Sequence, residues 1–160
     1  MSKPAHFYDI QSAEQLFGLL KATARNFSAS RGKSTKDLLF LVFGLTHLRE
    51  WIAPGYDSKD PPGSPEERFY QDIFGLKEFN ILRELCNRSK HMNAKVEAIG
   101  ALYGGTIDDA PDFDAITDFD RGAPLAYFVD GGDVEDFIPV VIRFYEEKWF
   151  KSGGQSGSAA

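Results

Sequence analysis

Two clusters of polar residues sit late in otherwise apolar stretches, and their side-chain types suit acid–base chemistry. In "LTHLREW", His47 and Glu50 stand at i, i+3 and His47 and Trp51 at i, i+4, so a helix carries all three on one face. In "RELCNRSKHMN", Arg83, Asn87 and His91 follow one another at i, i+4, a polar stripe beside Phe79, Leu82 and Cys86. A histidine exchanges protons near neutral pH, and a carboxylate such as Glu50 orients an imidazole and stabilises its charged form. Arg83, Arg88 or Lys90 can stabilise a negative phosphoryl group, and Asn87 can position a phosphate or a base. Cleavage of RNA by attack of its own 2′-hydroxyl needs little more than this, and no metal.

Each residue also has a purely structural reading. His47 can serve only to bond Glu50 or a backbone carbonyl, as half-buried histidines commonly do. Arg88, Lys90 and His91 are cations near a helix C-terminus, where the dipole favours them, although that does not account for Asn87. Trp51 suits core or pocket wall better than a stacking platform. Cys86 reads as a small buried hydrophobe. His47, Glu50 and His91 together lack the spacing of a dedicated metal site, so no metal is expected. No Gly-rich phosphate loop or cofactor motif is present either, so no cofactor is expected.

The elements that must position these residues are mostly helical. Ser12 and Gln15 have capping-box spacing and open a first helix, with Leu16, Leu20 and Phe27 near one face and Leu19, Thr23 and Ala24 beside it. "SASRGKS" separates it from a second, begun by the cap-like pair Ser34 and Asp37. That second helix runs from Leu38 to about Trp51, is apolar nearly all round at its start, and is stopped by Pro54 and Gly55. Ser64, Pro65, Glu66 and Glu67 then combine a cap, a first-turn proline and acids at the positive dipole end. This third helix reaches about Phe74, with Gly75 as terminator, and a fourth spans Leu76 to about Met92.

Beyond it the pattern shortens. Lys95 to Tyr103 and Leu125 to Val129 suit strands, and "DGGD" at Asp130 to Asp133 suits a turn. Pro139 constrains the last helix, because an Asp133 cap would bury that proline in the helix interior at a cost of ~3 kcal/mol. An Asp136 cap, with the helix running through Trp149, is therefore preferred. The fold class expected is mainly α: a four-helix bundle with a small β-hairpin-like insertion and a fifth, C-terminal helix. Residues 1–151 form one domain and "SGGQSGSAA", 152–160, a flexible tail. If the helices alternate up and down, the second and fourth run parallel and bring His47 and His91 to one end.

Composition narrows the partners. The 160 residues carry a formal charge of −6, which weighs against a broad nucleic-acid surface but leaves room for RNA at a local site. The longest apolar run, "LLFLVFGL" from Leu38 to Leu45, is less than half a membrane span, so no membrane is expected. The start, "MSKPAHFYDI", lacks a charged-then-apolar secretion layout, and Cys86 is the only cysteine; a cytoplasmic protein is expected. The run "DDAPDFDAITDFDRG" holds Asp108, Asp109, Asp112, Asp114, Asp118 and Asp120 without calcium-loop spacing. It reads as a solvated acidic loop whose Phe113, Ile116 and Phe119 offer a docking surface for a protein partner.

"THLREW" followed some forty residues later by "CNRSKH" resembles a pattern of small uncharacterised bacterial and phage proteins: His-x-x-acid-Trp, then Asn-x-x-Lys-His. The late helix with a tryptophan, here "RFYEEKWF", also fits; Glu50 stands where aspartate is expected. The resemblance spans roughly Leu38 to Phe150. More distantly, the helical layout is similar to the HEPN superfamily, whose four-helix bundles often dimerise and often act as metal-independent endoribonucleases in defence and toxin–antitoxin systems. The resemblance implies a possible homodimer and a ribonuclease with His91 as acid/base and His47 and Glu50 in support. The usual HEPN motif pairs an arginine with a histidine four to six residues on. Here Arg83 is too far before His91, Arg88 is too close, and Asn87 keeps the one-turn spacing without the charge. A non-catalytic interaction protein (an antitoxin, a phage counter-defence factor or an assembly subunit) is the alternative.

Overall fold

The computed structural model describes residues 9–90, 97–99, 104–106, 126–129 and 132–151, with the side chains of Ser89 and Lys90 and of residues 97–99 and 104–106 outside that description. Its helices are α1 (Ala13–Ala29), α2 (Thr35–Ile52), α3 (Pro65–Asp72), α4 (Lys77–Lys90) and α5 (Val134–Tyr145). A 3₁₀ turn, Ile73–Gly75, joins α3 to α4, and a π-helical turn, Glu146–Phe150, ends α5. None of these helices is long and apolar enough to cross a membrane.

Three helix starts follow from local side-chain chemistry. Ser12, Ser34 and Ser64 each accept the backbone N–H three residues on, from Gln15, Asp37 and Glu67. The reciprocal half of the first box is displaced by one residue: Gln15 Oε1 accepts the N–H of Gln11 at 2.7 Å. In the third, Glu67 Oε2 reaches the N–H of Gly63 at 3.3 Å. Gly55, with φ of +75°, takes the left-handed conformation that turns the chain away after α2.

The Asp136 cap is overturned. Asp133 caps α5 by accepting the N–H of Glu135 at 2.9 Å, which leaves Pro139 inside the helix. The outcome follows from magnitudes. Starting at Asp133 buries Val134 in line with Ile138, Val141 and Tyr145. Each such side chain contributes ~1.5–3 kcal/mol on burial. Pro139 is exposed, so water reaches the Glu135 carbonyl that it cannot bond.

The bundle is a closed ring: α1 packs on α2, α2 on α4, α4 on α5 and α5 back on α1. Leu20, Leu41, Leu45, Leu48, Phe79, Leu82 and Tyr145 fill its centre, fully enclosed. The C-terminal helix is thus a full wall of the bundle, and the short α3 is the brace outside it. Salt bridges fix the direction of α5. Lys21 meets Glu146 at 3.3 Å and Lys33 meets Glu135 at 2.9 Å, so α1 and α5 are antiparallel.

The sense of α4 corrects the parallel arrangement expected from strict alternation, and with it the ground for bringing His47 and His91 to one end of the bundle; the two motifs meet instead through Cys86. His47 touches Cys86, whereas Arg49, further along α2, lies over Phe79, earlier in α4. Contacts that step in opposite senses make α2 and α4 antiparallel. The reason is the length of α3: eight residues make a brace beside α2 rather than a full return pass, so α4 is the next pass.

The two expected strands are four short ones: β1 (Glu97–Ile99), β2 (Gly104–Thr106), β3 (Ala126–Val129) and β4 (Gly132–Asp133). They form an antiparallel sheet in the order β2-β1-β3-β4, with Ala98 opposite both Gly105 and Tyr127. Tyr127 and Val129 point into the core while Ala126 and Phe128 are half-buried, the alternation a strand imposes. The Tyr127 hydroxyl shares a short hydrogen bond with Thr35 Oγ1, which pins the sheet to the start of α2.

Candidate functional site

The "THLREW" face of α2 and the "CNRSK" end of α4 meet. His47 Nδ1 lies 2.9 Å from Glu50 Oε2, and its Nε2 lies 3.7 Å from Cys86 Sγ. A carboxylate only accepts, so the imidazole donates from Nδ1; in the neutral ring Nε2 is then the acceptor, facing a weak thiol donor. The imidazole is about one-third exposed and Glu50 about half exposed, so the pair opens to solvent. Cys86 is fully buried. Trp51, one turn from His47, is half-buried and packs against the core.

The α4 residues divide. Asn87, one residue on from Cys86, is exposed, and its side chain makes no hydrogen bond among the described residues. Arg88 is held by Glu84 at 2.6 Å, the i, i+4 order that stabilises a helix surface. Arg83 lies over the ring of Phe74, 5.1 Å from its centroid. Lys90 is the last residue of α4, its side chain outside the description. His91 and the Asp108 to Asp120 run lie outside the described residues. Among the described residues, no three His, Cys, Asp or Glu side chains form a metal-holding group.

Beside this seam stands a cation that the sequence reading passed over. Arg49 is buried, donates from Nη1 to the Tyr70 carbonyl at 3.2 Å, and stacks 4.0 Å from the Tyr70 ring centroid and 5.0 Å from that of Phe79. Its Nε finds no partner among the described residues. Burial depresses the Arg49 pKa; Tyr70 and Tyr145 oppose the shift, and Arg83 adds to it. Tyr145 donates its hydroxyl to the Leu45 carbonyl at 2.7 Å, and burial drives its pKa far above the ordinary tyrosine value, against the pull of Arg49. The signal for Arg49 was in the spacing. It shares the buried stripe of α2 with Leu38, Leu45 and Ile52.

Lys33 is the second such residue, read only as part of a connector. Its ammonium donates to the Phe27 and Ser28 carbonyls at 2.8 and 3.1 Å and pairs with Glu135, so one cation closes α1 and ties it to α5.

No protein-family model, curated protein or solved structure matches the chain.

Proposed function

We propose that the α2–α4 seam is the active site of a HEPN-like ribonuclease that cleaves RNA by acid–base chemistry. One observation carries this reading: the 3.7 Å approach of Cys86 to His47 makes the two polar motifs neighbours in space. With Glu50 on Nδ1, Nε2 is the atom left to exchange a proton, and to reach the substrate it gives up its weak contact with the Cys86 thiol. One histidine takes the proton of the ribose 2′-hydroxyl as that oxygen attacks the adjacent phosphorus. A second gives a proton to the departing 5′-oxygen. The products are a 2′,3′-cyclic phosphate and a 5′-hydroxyl end. His47 and His91 fill these two roles, Asn87 and Lys90 contact the phosphate, and Trp51 walls the site. The defence or toxin–antitoxin setting belongs to the same reading, as does a cytoplasmic location.

A different observation favours the non-catalytic alternative. Arg88 is neutralised by Glu84 and Arg83 is seated over Phe74, so two of the cations that would meet a phosphate are engaged within α4 and its approach. An interaction protein needs neither.

Incubation of purified protein with varied RNAs in excess chelator, beside His47→Ala and His91→Ala with matched melting curves, separates the two. Cleavage that survives chelator and disappears in both folded variants supports the ribonuclease. Cleavage unchanged in both variants, or none by the wild type, transfers the assignment to the interaction protein.

A further inference from the structure

The face of the bundle between α1 and α5 carries charge that the fold leaves unused. Lys21, Ala24, Arg25 and Ser28 share one stripe of α1 at i, i+3, i+4, i+7. Pro139, Ile142, Arg143 and Glu146 repeat that spacing on α5. Because the helices are antiparallel and Lys21 meets Glu146, one turn further along α1 sets Arg25 level with Ile142 and Arg143. The stripes enclose an open groove of about 470 Å³, within the size range of small-ligand sites.

Its ends and its middle differ. Glu146 is taken by Lys21 at 3.3 Å and approached by Lys151 at 3.9 Å. Lys33 and Glu135 close the far end of the same helix pair. Between them Arg25 and Arg143 are exposed, and their side chains make no ion pair or hydrogen bond among the described residues. Both guanidinium groups line the one groove, so a single anion lying there can meet two cations at once. Planar forks of this kind match phosphate oxygens two at a time. Ser28 adds a hydroxyl, and Ala24, Pro139 and Ile142 supply an apolar surface.

We infer that this groove binds a small phosphate monoester carrying an apolar body. Three cations face a single carboxylate there, the balance that suits a group of roughly two negative charges. The apolar stretch explains why the ligand is more than the bare anion. The inference is independent of the ribonuclease reading, because it uses no residue of the α2–α4 seam.

Calorimetric titration of the whole protein with phenyl phosphate, inorganic phosphate and benzoate tests it, beside an Arg25→Gln/Arg143→Gln double variant. The two arginines are exposed and unpaired among the described residues, so the variant is expected to melt with the wild type. Phenyl phosphate should bind the wild type at least about tenfold more tightly than inorganic phosphate or benzoate, and at least about tenfold more tightly than it binds the variant. Equal binding to wild type and variant would overturn the site. Inorganic phosphate binding as tightly as phenyl phosphate would overturn the apolar part. No binding of phenyl phosphate at millimolar concentration would overturn the inference altogether.

Discussion

The α2–α4 seam and the α1–α5 groove are built from similar side chains and put them to opposite uses. At the seam three cations with described side chains are spent on intramolecular partners: Arg49 on Tyr70 and Phe79, Arg83 on Phe74, Arg88 on Glu84. At the groove Lys21 and, beyond it, Lys33 fasten the ends of the helix pair, while Arg25 and Arg143 between them are exposed and have no ion-pair partner among the described residues. The sequence drew the eye to the seam because its polar residues interrupt an apolar pattern. Such interruptions mark places where the fold has had to solve a polar problem. Unspent charge lies instead where the pattern is ordinary.

Substitutions should separate the two regions by the size of their effects. Arg49→Ala should be the most damaging, lowering stability by ~2–4 kcal/mol through the lost stem packing, stacking and hydrogen bond. Urea unfolding measures it. Arg49→Lys should recover less than half, because an ammonium has no planar face to lay on two rings. A wild-type midpoint for Arg49→Ala would mean that the cation is not buried there.

Lys33→Ala should follow at ~2–3 kcal/mol, since it strands the Phe27 and Ser28 carbonyls and leaves Glu135 unpaired. Its loss should first loosen α1 from α5, read as faster amide exchange in the last turn of α1.

Alkaline pH gives a smaller, graded effect. Burial raises the pKa of Tyr145 and of Tyr127 above the unfolded value. An unfolded tyrosine therefore ionises first, and the unfolded state gains. The stabilisation is fully present below about pH 10 and is lost as pH rises through the folded values. Urea midpoints should be nearly level at pH 8 and 9 and fall at pH 10.5 and above, and Tyr145→Phe should flatten the decline. Smallest of all, Arg88→Gln should change stability by no more than ~0.5 kcal/mol, as an exposed helix pair does. A large loss there would show that the Arg88–Glu84 pair is more than surface decoration.

How much of this was legible depended on the range of the forces involved. Ser12, Ser34 and Ser64 announced their helices because a cap bonds a backbone group three residues away. The His47–Glu50 pair was legible for the same reason. Asp133 was misjudged because the local cost of Pro139 was visible, whereas the burial of Val134 against distant helices was not. The direction of α4 was misjudged because α3 counts as a helix in sequence but is too short to cross the bundle. Arg49 lay within the quoted motif, yet its partner Tyr70 is 21 residues on and belongs to another helix. What the chain does at long range, through Cys86 and His47 or Lys33 and Glu135, is written only in the fold.

The claim on which the functional account rests is that His47 joins the two motifs, with Glu50 on one ring nitrogen and Cys86 against the other. Nitrogen NMR of the histidine rings tests it directly. The neutral His47 ring is expected to carry its proton on Nδ1, with signals displaced by Glu50→Gln and, on the Nε2 side, by Cys86→Ala. A neutral ring protonated on Nε2 and indifferent to Cys86→Ala would contradict it, and the seam would then be two unrelated helix surfaces.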